Sequence, residues 1–188
     1  MGNSLKKIES GDSTVWITQP KETENFLKRR EVALKIAKGK FEDSGGKIEP
    51  AIQIAEAFGR GLFEEYIKKE SREWTTMDQW VKPVVKNIFN PMGTAATFTD
   101  ITEEEAKSFV FRYKENDYDS ADPYLSSLFT YGFLRGMLLS AFPEGDIILR
   151  SSMADGSQAD EFTFKIKVND EEKHEIEQNK ESKMINEE

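Results

Sequence analysis

Between residues 95 and 168 the chain reads as hairpin, glycine-bearing helix, hairpin, and no other feature constrains its fold as strongly. Two apolar runs, 95–101 and 109–113, come first. An apolar helix from 122 to about 142 follows, and two more strand candidates, 146–150 and 161–168, close the unit. The last is the clearest: Phe162, Phe164, Ile166 and Val168 alternate with Thr163, Lys165 and Lys167, the pattern of a half-buried antiparallel strand. Asp155-Gly156 supplies a turn before it. Asp122-Pro123 has the form of an N-cap followed by proline at the first helical position. Beyond it Leu125, Leu128, Phe129, Gly132, Phe133, Gly136, Met137 and Leu139 leave almost no polar face, and Arg135 is the helix's single formal charge. A helix apolar nearly all round is buried on more than one side. The expected class is therefore α+β, a helical layer packed on a four-stranded antiparallel sheet.

The preceding residues supply the helices. Residues 1–22 read as a polar arm in which Val15-Trp16-Ile17 is a clip onto the main domain, which spans 23–168. A first helix over 24–41 places Phe26, Arg30, Ala33, Ala37 and Phe41 on one face, and Ser44-Gly45-Gly46 ends it. Pro50 suits the first turn of a second helix, whose apolar face continues to residue 67. Gly59 and Gly61 lie inside this helix, where each costs roughly 1 kcal/mol relative to alanine, so a close backbone neighbour is expected. A third helix over 76–89 contains Pro83, which predicts a kink or two short pieces. Thr102 followed by Glu105 has the form of a capping box and predicts one helical turn between the first two strands.

Charge and composition exclude several functions. A net charge of −9 argues against nucleic-acid binding, which needs a Lys/Arg surplus on some face. Residues 169–188 hold eight acids against three lysines, with Ile176, Met184 and Ile185 as their only apolar residues, and read as a disordered acidic tail. No cysteine is present, which rules out disulfides, thiol nucleophiles, Cys-ligated zinc and iron–sulfur clusters. The single histidine, His174, falls in the acidic tail, away from any triad partner. Glu115, Asp117, Asp119 and Asp122 alternate as calcium ligands do, but without the turn glycine and closing glutamate of an EF-hand they read as a solvated loop and helix cap. Gly132-x-x-x-Gly136 lets its helix lie close against the sheet or a symmetry mate. No stretch approaches the roughly 20 apolar residues of a membrane span, and a cytoplasmic location is expected.

The run 124–139, with Gly132 and Gly136, followed by 146–149, Met153, Gly156 and Phe162-Thr163-Phe164, resembles the 4-vinyl-reductase domain family. That fold is shared with the Bet-type subunits of the TRAPP tethering complex, and the resemblance extends over about 50–168. It implies a helical layer on a four-stranded sheet, a small-molecule or lipid pocket, and dimerisation through helices. Family members carry cysteines near the Gly-centred turn and before the glycine helix; the matching stretches here, 151–161 and 116–119, have none, so a thiol-held metal does not carry over. The related L-2-amino-thiazoline-4-carboxylic acid hydrolases look similar in arrangement, and their cysteine-bearing positions are missing here too.

Three functions follow as expectations. The first is a non-enzymatic binding or sensor domain for an apolar, lipid-like molecule, acting as a homodimer. Its pocket would lie between the glycine helix and the helix at 50–70, lined by Phe58, Leu62, Phe129, Phe133 and Met137. The second is a scaffolding or adaptor subunit similar to the Bet-type proteins, and the third a carboxylate- and metal-dependent hydrolase. No cofactor is identified by any motif. A concave apolar void would favour the first, an exposed apolar patch the second, and clustered carboxylates the third.

Overall fold

The computed structural model describes residues 5–10, 13–19, 24–71, 73–93, 95–100, 106–114 and 122–167. Strands β1 (Leu5–Ser10) and β2 (Ser13–Thr18) come first, then helices α1 (Glu24–Asp43) and α2 (Ile48–Leu62). Helix α3 (Met77–Val84) and the single turn α4 (Asn90–Met92) precede strands β3 (Ala95–Asp100) and β4 (Ala106–Lys114). Helix α5 (Pro123–Ala141) and strands β5 (Asp146–Ser151) and β6 (Asp160–Lys167) complete the order. The α+β class holds, and all four expected strands form.

The sheet itself differs from the expectation: it has six antiparallel strands, not four, in the order β1-β2-β3-β4-β6-β5. The two additional strands lie within the segment read as a polar arm. Val15, Trp16 and Ile17 pair with Thr99, Phe98 and Thr97, so the expected clip is a strand pairing. Two polar contacts fasten its end. Thr18 Oγ1 donates to the Ala96 carbonyl and accepts from the Ala96 N–H, at 3.2 and 2.8 Å, and the Gln19 N–H donates to Asn90 Oδ1 at 2.8 Å. Periodicity missed this hairpin because its residues alternate polar and apolar too weakly to stand out from a polar segment.

Helices pack on one face of the sheet. On β6, Phe162, Phe164 and Ile166 point into this core while Lys165 alternates away. Trp80 is fully buried at its centre, edge-on to Phe98 and Phe164 with ring centroids 6.3 and 5.8 Å apart. Its indole N–H donates to the Met137 carbonyl at 3.4 Å, which satisfies the one polar atom of that side chain.

The helix ends follow local chemistry. Asp122 caps α5, its carboxylate accepting from the Leu125 N–H at 3.3 Å. At the start of α3 the Gln79 side chain accepts from the N–H groups of Thr75 and Thr76. Pro83 cannot donate to the carbonyl four residues back, and after Val84 the helix widens into a π-type turn over Val85–Phe89. A second such turn, Phe63–Ile67, continues α2 to the residue where its apolar face was expected to end. The capping box at 102–105, the acidic positions 115–121 and the tail 169–188 lie outside the described residues.

Candidate functional site

Three glycines decide how α2 and α5 meet. A Cβ on Gly59 would run into the Phe133 carbonyl, and one on Gly136 into the Glu56 carbonyl. One on Gly132 would stand 2.7 Å from the Ala55 Cβ and 2.9 Å from the Ile52 carbonyl. The two helices therefore touch backbone to backbone, and the small residues of α5 face α2 rather than the sheet or a symmetry mate. Arg135 Nη1 spans the same crossing and donates to Glu56 Oε1.

This seam is where the pocket was expected. Leu62, Phe129, Phe133 and Met137 are all at most 2% exposed and belong to one hydrophobic core. Phe58 is half-buried beside them, its ring centroid 5.9 Å from Phe129 and 5.5 Å from Phe133. The structure thus places all five residues in or against the core. Phe58 has a second environment on its outer side.

There it forms part of a concave trough of 480 Å³ between α1 and α2. Val32, Ala33 and Ile36 form one wall, Ile54, Ala57 and Phe58 the other, and Lys28 and Arg29 stand at one end. Val32 is 58% exposed and Ile36 49%, an unusual degree of solvation for two large aliphatic groups one turn apart. The buried face of α1 is the one the spacing predicts, through Phe26, Arg30, Ala33 and Ala37. Val32 and Ile36 fall outside that face. Their signal was legible as two apolar residues at i and i+4 on the side of the helix that should be polar.

Electrostatics organise the end of the trough. Arg29 donates to Tyr66 Oη and to Glu65 Oε2, each at 2.8 Å, and its guanidinium lies 5.5 Å over the Tyr66 ring. The hydrogen bond from Arg29 holds the Glu65 carboxyl below the ordinary carboxylate range, and the same bond raises the Arg29 pKa. Arg30 is buried, with its guanidinium 5.7 Å over Phe129.

A buried polar cluster lies elsewhere, where α5 meets β6. Ser127 and Ser152 share a hydrogen bond of 2.7 Å between their hydroxyls. Asp160 Oδ1 accepts from Ser127 Oγ at 3.2 Å and from the Met153 N–H at 2.7 Å. All three side chains are essentially sealed from solvent. Sequence reasoning left this cluster unassembled, although Ser126-Ser127 is a polar pair in a mostly apolar helix. Burial pushes the Asp160 carboxyl above the ordinary aspartate range, against the lowering effect of its hydrogen bonds. A carboxyl raised on folding contributes stability that is fully present below its unfolded pKa and lost as pH rises through the folded one. The wild-type free energy of unfolding should therefore fall, through this group, as pH rises from the ordinary aspartate range towards neutrality. Asp160→Asn keeps an acceptor for Met153 and Ser127 and should flatten that slope. Urea denaturation at a series of pH values checks it, and an unchanged slope would dismiss the group as its source.

Among the described residues no three His, Cys, Asp or Glu side chains stand close enough to hold a metal ion, and no helix is long and apolar enough to cross a membrane. No protein-family model matches the chain, and no curated protein is similar to it.

Proposed function

We propose that this chain is a non-enzymatic binding domain that acts as an adaptor, docking a protein partner along the trough between α1 and α2. The observation that carries the reading is the solvation of Val32 and Ile36 beside a concave apolar wall. A ridge of large aliphatic side chains beside a groove is the surface that helix packing fills, and leaving it open to water is unfavourable. The seam between α2 and α5 supports the same choice, because backbone contact there leaves the trough as the concavity that Phe58 lines. The resemblance of residues 124–168 to the Bet-type subunits points to the same class of function.

Photo-crosslinking tests the reading directly. Benzoylphenylalanine placed at position 36 should give discrete protein adducts in cells. The same group at position 165, on the strand face directed away from the helices, should not. Identical adduct patterns from the two positions, or none from position 36, would remove the docking role.

A second reading has its own observation. The trough volume of 480 Å³ falls within the roughly 300–1,000 Å³ typical of small-molecule sites, and its lining is almost wholly apolar. A native mass spectrum showing extra mass that disappears on denaturation would favour a bound apolar molecule over a protein partner. The same spectrum reads the homodimer expected from the sequence.

A further inference from the structure

We infer that the chain's own acidic tail, residues 169–188, lies across the sheet on the face opposite the helices, seated on one transverse row of β-branched residues. The register sets up that row. Ile8, Val15, Thr99, Val110, Thr163 and Ile148 stand opposite one another in turn, one from each strand. Their chain neighbours Phe98, Phe162, Phe164 and Ile147 are buried in the core, so the row alternates onto the opposite face. Val15, Thr99 and Ile148 are half-buried there. Thr163 is 4% exposed, and Arg150 Nε donates to its Oγ1 at 3.1 Å. The charges of this face, taken position by position, favour an acidic occupant. The register puts Lys6, Arg112, Lys114, Lys165 and Lys167 on it, and Arg150 reaches it at Thr163. Among the described strand positions its acids are Glu161, opposite Arg112, and Asp146, opposite Lys165. These six bases and two acids leave an excess of four positive charges, on a chain whose net charge is −9.

The tail matches this row in length and in the order of its residues. Across six strands the row measures about 24 Å, five gaps of about 4.8 Å. The eight residues from Ile176 to Met184 span about 26 Å when extended. The acid surplus lies outside those two apolar points. Asp170, Glu171, Glu172 and Glu175 precede Ile176, and Glu187 and Glu188 follow Ile185. Between them Glu177 and Glu181 are balanced by Lys180 and Lys183. β6 ends at Lys167, four residues beyond Thr163, and the nine residues on to Ile176 reach about 30 Å, enough to turn back onto the row. β6 stands beside β5, the edge strand that carries Ile148 and Arg150. Ile176 therefore comes to Ile148 with its preceding acids towards Arg150, and Met184-Ile185 comes to Ile8 with Glu187 and Glu188 towards Lys6. Such a contact covers apolar surface and offsets charge without needing a packed core, which a segment of this composition could not build.

Because the chain has no cysteine, Ser182→Cys takes a single nitroxide label, and amide NMR of the full chain reads where the tail lies. At low salt the label should remove at least half the signal of Val15, Thr99, Thr163 and Ile148, measured against the reduced label. The signals of Val32 and Ile36 on α1 should keep their intensity. Raising the salt to about 0.5 M should at least halve the effect, since exposed charges are then screened within a few ångströms. Arg150→Glu with Lys165→Glu should do the same at low salt, and the amide spectrum of that variant shows whether it folds. Row signals that the label leaves intact would overturn the inference, as would an effect that salt does not change. Equal loss over the row and over α1 would overturn it too, because the tail then has no seat. Mixing labelled chain with isotope-enriched unlabelled chain separates the remaining case. Loss of the row signals in that mixture would seat a second copy's tail there and overturn the inference, whereas loss confined to labelled, enriched chains supports it.

Discussion

Trp80→Ala should lower stability by about 4 kcal/mol, the largest effect expected of any single truncation in this fold. Trp80 is wholly buried and ties α3 to the sheet and to α5. It leaves α3, meets Phe98 of β3 and Phe164 of β6 edge-on, and donates to the backbone of α5 at Met137. Alanine would open a cavity between the sheet and the helices and leave the Met137 carbonyl without its indole donor. Urea denaturation with matched slopes for wild type and variant is the measurement. A loss below about 1 kcal/mol would mean that the site collapses freely and that Trp80 is not central to the core.

The glycines of α2 and α5 should respond to the same substitution with opposite signs. Gly136→Ala places a methyl group against the Glu56 backbone, where neither helix can yield without separating from the other. The overpacking penalty, about 3 kcal/mol, exceeds the gain in helix propensity of about 1 kcal/mol, so the variant is less stable by roughly 2 kcal/mol. Gly61→Ala meets open space and keeps the propensity gain, about 1 kcal/mol of added stability. Thermal melts of the pair decide the matter. Stabilisation at both positions would show that α2 and α5 do not pack at backbone contact.

These glycines also mark what could be read from sequence. A close backbone neighbour was expected for both Gly59 and Gly61, on cost alone; it exists at Gly59 and is missing at Gly61. Propensity identifies a position that needs a reason without saying whether the reason lies inside the fold. The apolar helix and its N-cap at Asp122 were legible because strong periodicity and a local hydrogen bond operate over a few residues. The hairpin at 5–18 was not, because its place in the sheet depends on pairing with residues about eighty positions away. The candidate site was legible in part. Phe58 was identified for the wall it shares with α5, whereas its outer side joins a trough built with α1. That trough required knowing which face of α1 the core leaves uncovered.

The N-terminal hairpin has a consequence for how copies of this chain avoid one another. Had the sheet ended at β3, its last strand would have been Ala-Ala-Thr-Phe-Thr-Asp, short of charge and ready to pair with a neighbouring molecule through its open backbone groups. β2 occupies that edge, and β1 becomes the outermost strand in its place. Its sequence, Leu-Lys-Lys-Ile-Glu-Ser, carries two lysines and a glutamate within six residues. Charged edge strands, lysine-bearing ones above all, discourage the strand addition that begins aggregation. A chain lacking residues 1–19 should therefore precipitate on refolding at concentrations the full chain tolerates, with light scattering as the readout; equal scattering from both would show that β3 needs no cover.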